Sequence, residues 1–488
     1  MSISASKRFR ASASLAVLLA AACSLAPKYE KPDAPSAPAF KELPPQSSAD
    51  GTVWKLAEPQ DARSRGKWWE LFGDPRLDEF EDRLSSSNQN VAAAASAFLA
   101  ARAQVAQARS QYAPTLTAAP GVTRSHVGAT PFGVSSNNSF TEYTLPFDAS
   151  WQPDFWGKTR SAVAASAFAA QASAADLENV RLTAHAELAV DYYELRAQDE
   201  LMVLLDSAAA TDLVALSLSR TLNKAGLDSD QAVAQAQAQL ETARAQAANA
   251  GILRAQYEHA IATLLGASAS TFTIAVEPFR PPVLSFPIGV PSQLLERRPD
   301  VAAAERAVAS ANAEIGVARA AYFPNITLSA SAGFNSFSAA NWLTWASRFW
   351  SIGANGSETL IDGGARGAAV RQAKAVRDET ASQYRQTVLS AFQQVEDELA
   401  SVRISSEDIR NQDAAVDAAL RNVAEAQARY QAGLDPYLDV LAAETSLIAL
   451  EQTALGFRIQ RLVAGIQLIE ALGGGWSSAD LPRTKELK

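Results

Sequence analysis

The chain has 488 residues, 48% of them apolar, and a formal net charge of -9, which excludes nucleic acid as a partner because that contact demands a basic face. One cysteine permits no internal disulfide, and His126, His185 and His259 stand without companion spacing, so no metal site is expected. Length alone would imply about three domains, but an internal repeat argues for one unit built from two like halves.

Residues 1–22 read as an export signal: Lys7, Arg8 and Arg10 precede an apolar run, Leu15 to Ala22, that is too short to cross a bilayer. Cleavage before Cys23 would make the lone cysteine the first residue, a position suited to a covalent lipid, and no other cofactor is expected. Residues 23–83 carry many prolines (Pro27, Pro32, Pro35, Pro38, Pro44, Pro45) and should run extended over the rest of the molecule. A helix is expected over 84–112, a β-hairpin over 113–157 and a long helix pair over 158–265. After a linker, 266–292, the pattern returns as a helix over 293–322, a hairpin over 323–365 and a helix pair over 366–472. The tail, 473–488, follows Gly473-Gly474-Gly475 and is expected to be irregular.

The repeat is readable residue by residue. Val301 laid on Val91 puts Ala311 on Ala101, Arg319 on Arg109, Tyr322 on Tyr112 and Pro324 on Pro114, 210 residues apart and without a gap. Large apolar residues recur every seven (Val91, Phe98, Val105, Tyr112; Val301, Val308, Ile315, Tyr322), with alanine in the complementary seam at Ala94, Ala101, Ala108 and Ala304, Ala311, Ala318. That is the repeat of helices that coil around each other, and small seam residues let them approach closely. The long helices would reach about 100 Å at about 1.5 Å per residue. Helices of that length belong to a rod of antiparallel coils rather than to a globular domain.

Between helices the period changes to two. Tyr143, Leu145, Phe147, Ala149 and Trp151 alternate with polar residues, as do Ile326, Leu328, Ala330, Ala332 and Phe334; weaker alternation lies near 115–123 and 350–361. Strands of about ten residues with one apolar face are those of a lipid-exposed barrel. Four cannot close a barrel, and open edges are not tolerated in hydrocarbon, so several chains must pool their strands. Two chains would give eight strands around a filled interior; three would give twelve and a lumen. The fold class is therefore mainly α with a membrane β-barrel part, made of duplicated helical-hairpin and β-hairpin halves.

Each long helix pair turns through the same four residues, Ala225-Gly226-Leu227-Asp228 and Ala432-Gly433-Leu434-Asp435. Gly226 and Gly433 fit left-handed helix caps, and Asp or Ser would cap the next helix. Leu227 and Leu434, exposed at the tips, point to a docking surface. Asp228, Asp230, Asp435 and Asp439, repeated around a ring, would make a cation-selective constriction, with Arg429 and Tyr430 beside it to hold it closed. Gly363-Gly364-Ala365-Arg366 lacks the Lys-Ser/Thr ending of a phosphate loop and reads as a strand-to-helix turn.

CSLAPKYEKP (23–32), WWELFGDPRLD (68–78), FWGKTR (155–160), LLERRPDVAAAE (294–305) and ARYQAGLDPYLDVLAAETSL (428–447) together resemble the TolC-like outer-membrane channels of efflux systems, and within them the OprM/NodT-type lipoproteins. The resemblance spans nearly the whole chain. It implies a homotrimer in which a 12-stranded outer-membrane barrel continues into an α-helical tunnel across the periplasm. The partners it implies are a periplasmic adaptor, docked at the tips, and an inner-membrane pump that supplies the energy. Ala20, where leucine is usual, and Gln152-Pro153 at a strand end depart from the family pattern. The alternative class is a non-enzymatic periplasmic structural or binding lipoprotein; no clustered polar site supports an enzyme.

Overall fold

The computed structural model describes residues 25–35, 39–42, 55–56, 67–127, 138–227, 229–279, 287–288 and 297–487. Cys23 and Asp228 lie outside them.

Two copies of one three-helix pattern account for six of the α-helices among the described residues. The first comprises α2 (Gln89–Ser110), α3 (Lys158–Lys224) and α4 (Asp230–Leu264), of 22, 67 and 35 residues. The second comprises α5 (Pro299–Ala320), α6 (Ala365–Gln431) and α7 (Tyr437–Ala471), again of 22, 67 and 35 residues. A further helix, α1 (Pro75–Ser87), precedes them, capped by the Asp74 carboxylate and started by proline at its first position.

The helix expected over 84–112 breaks at Asn88, which takes an extended conformation, ends α1 and caps α2 through side-chain bonds from the amides of Asn90 and Val91. Its Nδ2 donates to the Leu264 carbonyl at 2.9 Å, so the break also docks α1 and α2 on the end of α4. Helix therefore occupies part of the segment read as extended. The heptad seam holds at Val91, Val105, Val301, Val308 and Ile315, all buried. It does not extend to Tyr112 and Tyr322, which lie past the helix ends and are 43% and 49% exposed.

Each short helix feeds a strand. The main sheet runs β2 (Thr115–Ala118) and β3 (Gly121–Val127) beside β4 (Asn138–Trp151), then β6 (Asn325–Ser336) and β7 (Arg348–Ser357), all neighbours antiparallel. The first strand is split because Pro120 has no amide hydrogen for the ladder. Trp151 ends β4 immediately before Gln152-Pro153. A second, parallel pair joins β1 (Lys55–Leu56) to β5 (Pro287–Ile288).

The largest apolar cluster among the described residues joins α1 and α3 to α5, α6 and α7. Trp68 and Trp69, on a 3-10 turn (Trp68–Phe72), pack with Leu77, Phe80, Tyr192 and Tyr193. Within it the Glu81 carboxyl, fully buried, bonds His185 Nδ1 at 2.5 Å, and the imidazole stacks on Trp69 at 4.3 Å. Burial lifts Glu81 well above the usual carboxyl range and pushes His185 down to about 4. Both shifts favour the uncharged forms over an ion pair. Nearby, buried Asp199 accepts from Arg196 at 2.9 Å and Arg254 at 2.6 Å, tying α3 to α4.

The described segments nearest each terminus are strapped onto this frame. The N-terminal segment lies along the second half: Arg319 donates to the Leu25 carbonyl (3.2 Å), Asn312 to that of Pro27 (2.9 Å), and the Tyr29 hydroxyl to the Glu305 carboxylate. Gly316 permits this, since a Cβ there would lie 2.7 Å from that of Ala26. The tail is irregular, as expected, apart from a 3-10 turn (Ser478–Asp480), and lies along the first half. Arg109, the repeat equivalent of Arg319, donates to the Thr484 carbonyl at 2.7 Å, and Leu487 is fully buried with Val105, Ala167 and Ala170. One duplicated arginine thus holds two unrelated termini.

Candidate functional site

The sheet is sorted into two chemistries by its register. Leu145 lies opposite Phe334, Phe147 opposite Ala332, Ala149 opposite Ala330 and Trp151 opposite Leu328. Across the next ladder Ala332 faces Trp350 and Ala330 faces Ile352; on the other side Leu116 faces Ala149. Side chains alternate along each strand, so all of these share one apolar face, while Thr117, Asp148, Ser150, Ser329, Ser331 and Ser351 share the other. The apolar face is bare in the chain: Leu116 is 71%, Trp350 77% and Ile352 78% exposed. At the base of the sheet Trp156 stacks on Phe323 (5.0 Å) and donates to the Pro324 carbonyl (2.8 Å). Each strand-to-helix turn is locked by an aspartate: Asp154 accepts from the amides of Thr159 and Arg160, and Asp362 from those of Gly364 and Arg366. Arg366, beside Gly364, also chelates Asp362 and Glu358, both at 2.7 Å. These bonds hold Asp362 down at about 2.

At the opposite ends of the long helices the two turns have the same hydrogen bonds. The Gly226 amide donates to Asn223 O and that of Leu227 to Leu222 O, both 2.9 Å; Gly433 donates to Tyr430 O at 2.9 Å and Leu434 to Arg429 O at 3.0 Å. Gly226 and Gly433 have φ of 73° and 69°, where a side chain would be strained. Leu227 and Leu434 are 76% and 68% exposed.

The tips differ in their acids. In the first, Ser229 caps α4 through the Ala232 amide, and Asp230 accepts from Asn223 Nδ2 at 3.0 Å. In the second, Pro436 occupies the cap position, and Asp435 does not cap the helix as expected. Its carboxylate turns back to Arg429 and takes two bonds from the guanidinium, Nη2 at 3.0 Å. Arg429 holds Asp435 below the ordinary carboxylate range. Asp439 lies in the first turn of α7 and adds a weaker attraction to Arg429. Tyr430 packs edge-on against Tyr437 at 5.1 Å and 70°. Tyr437, which the sequence reading did not single out, has its hydroxyl pushed up to about 12, by burial first and then by Glu444 and Asp212. The only available signal was a pair of acids, Asp212 and Glu444, set in otherwise apolar coiled segments. No group of three metal-ligating side chains exists among the described residues.

The outer membrane efflux protein family model matches the chain twice, over residues 82–267 and 290–474, one match per repeat. The chain belongs to that family. Curated relatives include the pyoverdine export outer membrane protein OpmQ of Pseudomonas aeruginosa, 32% identical over 434 residues (86% of this chain, 89% of the relative). Another is the probable efflux pump outer membrane protein TtgC of Pseudomonas putida, 28% identical with 93% of each chain covered. Among solved structures, the outer-membrane channel OprN superposes with a TM-score of 0.84 at 27% identity, covering 93% of this chain and all of that one. The Neisseria gonorrhoeae MtrE channel in its open state superposes at 0.80 with 28% identity, covering 93% and 99%. The Campylobacter jejuni CmeC channel, at 22% identity and 0.87, shares the fold. As an outer membrane efflux protein, the chain is an efflux channel of the Gram-negative outer membrane, and the periplasmic-scaffold alternative falls away.

Proposed function

We propose that three copies close into one duct, a 12-stranded barrel continuous with a 12-helix tunnel, which passively carries small molecules delivered by an inner-membrane pump through a periplasmic adaptor. The observation that carries this reading is an asymmetry between the halves. The long helix of the first half, α3, packs on α5 and α7 of the second, but its counterpart α6 makes no comparable contact with α2 or α4 of its own chain. The sheet repeats the pattern: β4 of the first half pairs with β6 of the second, while β7 and the β2/β3 row are left as edges. A head-to-tail neighbour would give α6 and β7 the partners that α3 and β4 already have. Leu99 on α2, Ile252 on α4, and Leu389 and Ile404 on α6, all exposed, would be covered by it. Twelve strands leave a lumen where eight would not.

In that ring Leu227 and Leu434 form the adaptor-docking surface, and Asp228, Asp230 and Asp439 supply the carboxylates of the constriction. Asp435 and Arg429, with Tyr430 against Tyr437, hold it closed. The protein does no chemistry of its own. Cys23 carries the covalent lipid, as the first residue left when the export signal is cleaved. The test is reconstitution. The purified protein should conduct ions in planar bilayers, and its deletion should raise drug susceptibility only in cells that carry the cognate pump. A protein that does not conduct would end the channel reading.

A further inference from the structure

Two acids, one buried and one half-buried, lie near the tips on helices of the two halves that pack together. Asp212 lies on α3, twelve residues before its end, and Glu444 on α7, seven residues after its start; these two helices pack together. Asp212 is 3% exposed and its Oδ2 has no hydrogen-bond partner. Glu444 is half-buried; its Oε1 accepts from Gln427 of α6 at 3.1 Å, and its Oε2 has no partner. Among the described residues neither forms an ion pair with a cation, although buried carboxylates ordinarily require one.

The surrounding elements do not supply that charge. On α4 Glu241 and Arg244 pair with each other at 3.1 Å. On α6 Arg429 is committed to Asp435, and Gln427 and Tyr430 carry no charge. On α7 Tyr437, beside both acids, stays neutral. Two partly or fully buried carboxyl groups that repel each other cannot both ionise without cost, and a proton on one of them relieves it.

We propose that Asp212 and Glu444 are a proton-operated latch, which seats the second-half tip on the first while they hold a proton and releases it when the proton is lost. The tip it would free is the one that carries Arg429, Tyr430 and Leu434, so the latch rests on the channel reading and adds a regulation to it. The sign follows from the raised affinity for protons. Burial, then Glu444, pushes Asp212 up to about 6, and burial lifts Glu444 as well. The seated state is therefore favoured at low pH and weakens as pH rises through that value. Asp435, held below the usual range, stays ionised throughout and adds nothing to the effect.

The experiment is single-channel recording of the full-length protein in planar bilayers between about pH 5 and about pH 8, a window that brackets the raised acid. Wild type should open more often as pH rises, with an apparent midpoint near 6. Asp212→Asn and, separately, Glu444→Gln should stay at the low-pH level across the range. Thermal melts at neutral pH serve as the folding control; two independent amide variants guard against loss of one. A wild type whose opening is flat or falls with pH, or amide variants that follow the wild-type curve, would overturn the latch. A wild type that conducts at no pH would remove the channel reading, and the latch with it.

Discussion

Arginine at Ile352 should block assembly while arginine at the neighbouring Ser351 should not. Ile352 lies mid-strand in β7, opposite Ala330, which lies opposite Ala149, so it belongs to the central row of the apolar face and is 78% exposed in the single chain. An arginine facing lipid at the bilayer midplane costs about 2 to 4 kcal/mol, and three copies per assembly bring the cost to about 6 to 12 kcal/mol. Ser351 faces the other way, in a row with Ser331 and Asp148, where a guanidinium meets polar groups and an opposite charge. The assay is the yield of SDS-resistant oligomer in outer-membrane fractions. Even the lower single-copy cost corresponds to about 30-fold in an equilibrium, which a gel resolves. Equal yields for Ile352→Arg and Ser351→Arg would refute the assignment of the apolar face to lipid.

At the second tip, Asp435→Asn removes a carboxylate and releases Arg429, so cation selectivity measured from reversal potentials should fall. Tyr430→Ala removes the edge-on contact with Tyr437 and should raise conductance without changing the oligomer's Tm. In the core, Glu81→Gln keeps a neutral donor for His185, whereas Glu81→Ala leaves the imidazole unsatisfied and should cost about 1 to 3 kcal/mol in melts. The raised Glu81 acid makes its own contribution greatest at low pH and diminishing as pH climbs above the ordinary carboxyl range, so Glu81→Gln should gain on wild type from about pH 5 to about pH 8. Mass spectrometry of the mature N-terminus should find acylated Cys23, and Cys23→Ser should weaken membrane retention without abolishing it, because the sheet itself spans; an unmodified terminus starting elsewhere would discard the anchor.

The duplication was legible because it is written in local pattern. The seven-residue spacing of Val91 and Val301 marks helices of equal length, and the alternation through Leu145 and Leu328 marks strands that the register then aligns on one face. Gly226 and Gly433 could be read as caps because only their backbone geometry demands glycine. Features made by distant residues were not legible. The break at Asn88 depends on the Leu264 carbonyl as well as on local turn chemistry. Arg109 and Arg319 align perfectly in sequence, yet nothing local announces that they bind the two chain ends. Asp435 looked like a helix cap because Asp often is one; Pro436 takes that position and the carboxylate goes to Arg429. His185 offered no spacing to interpret, since its partner Glu81 lies on another helix, 104 residues away.

The central claim is that this chain is one third of a closed duct whose missing contacts are supplied head to tail by identical neighbours. Native mass spectrometry of the detergent-extracted protein tests it most directly. Three chains per particle, with none of the monomer persisting at outer-membrane detergent concentrations, is the result expected. A stable monomer, or a dimer with its eight strands, would contradict the account.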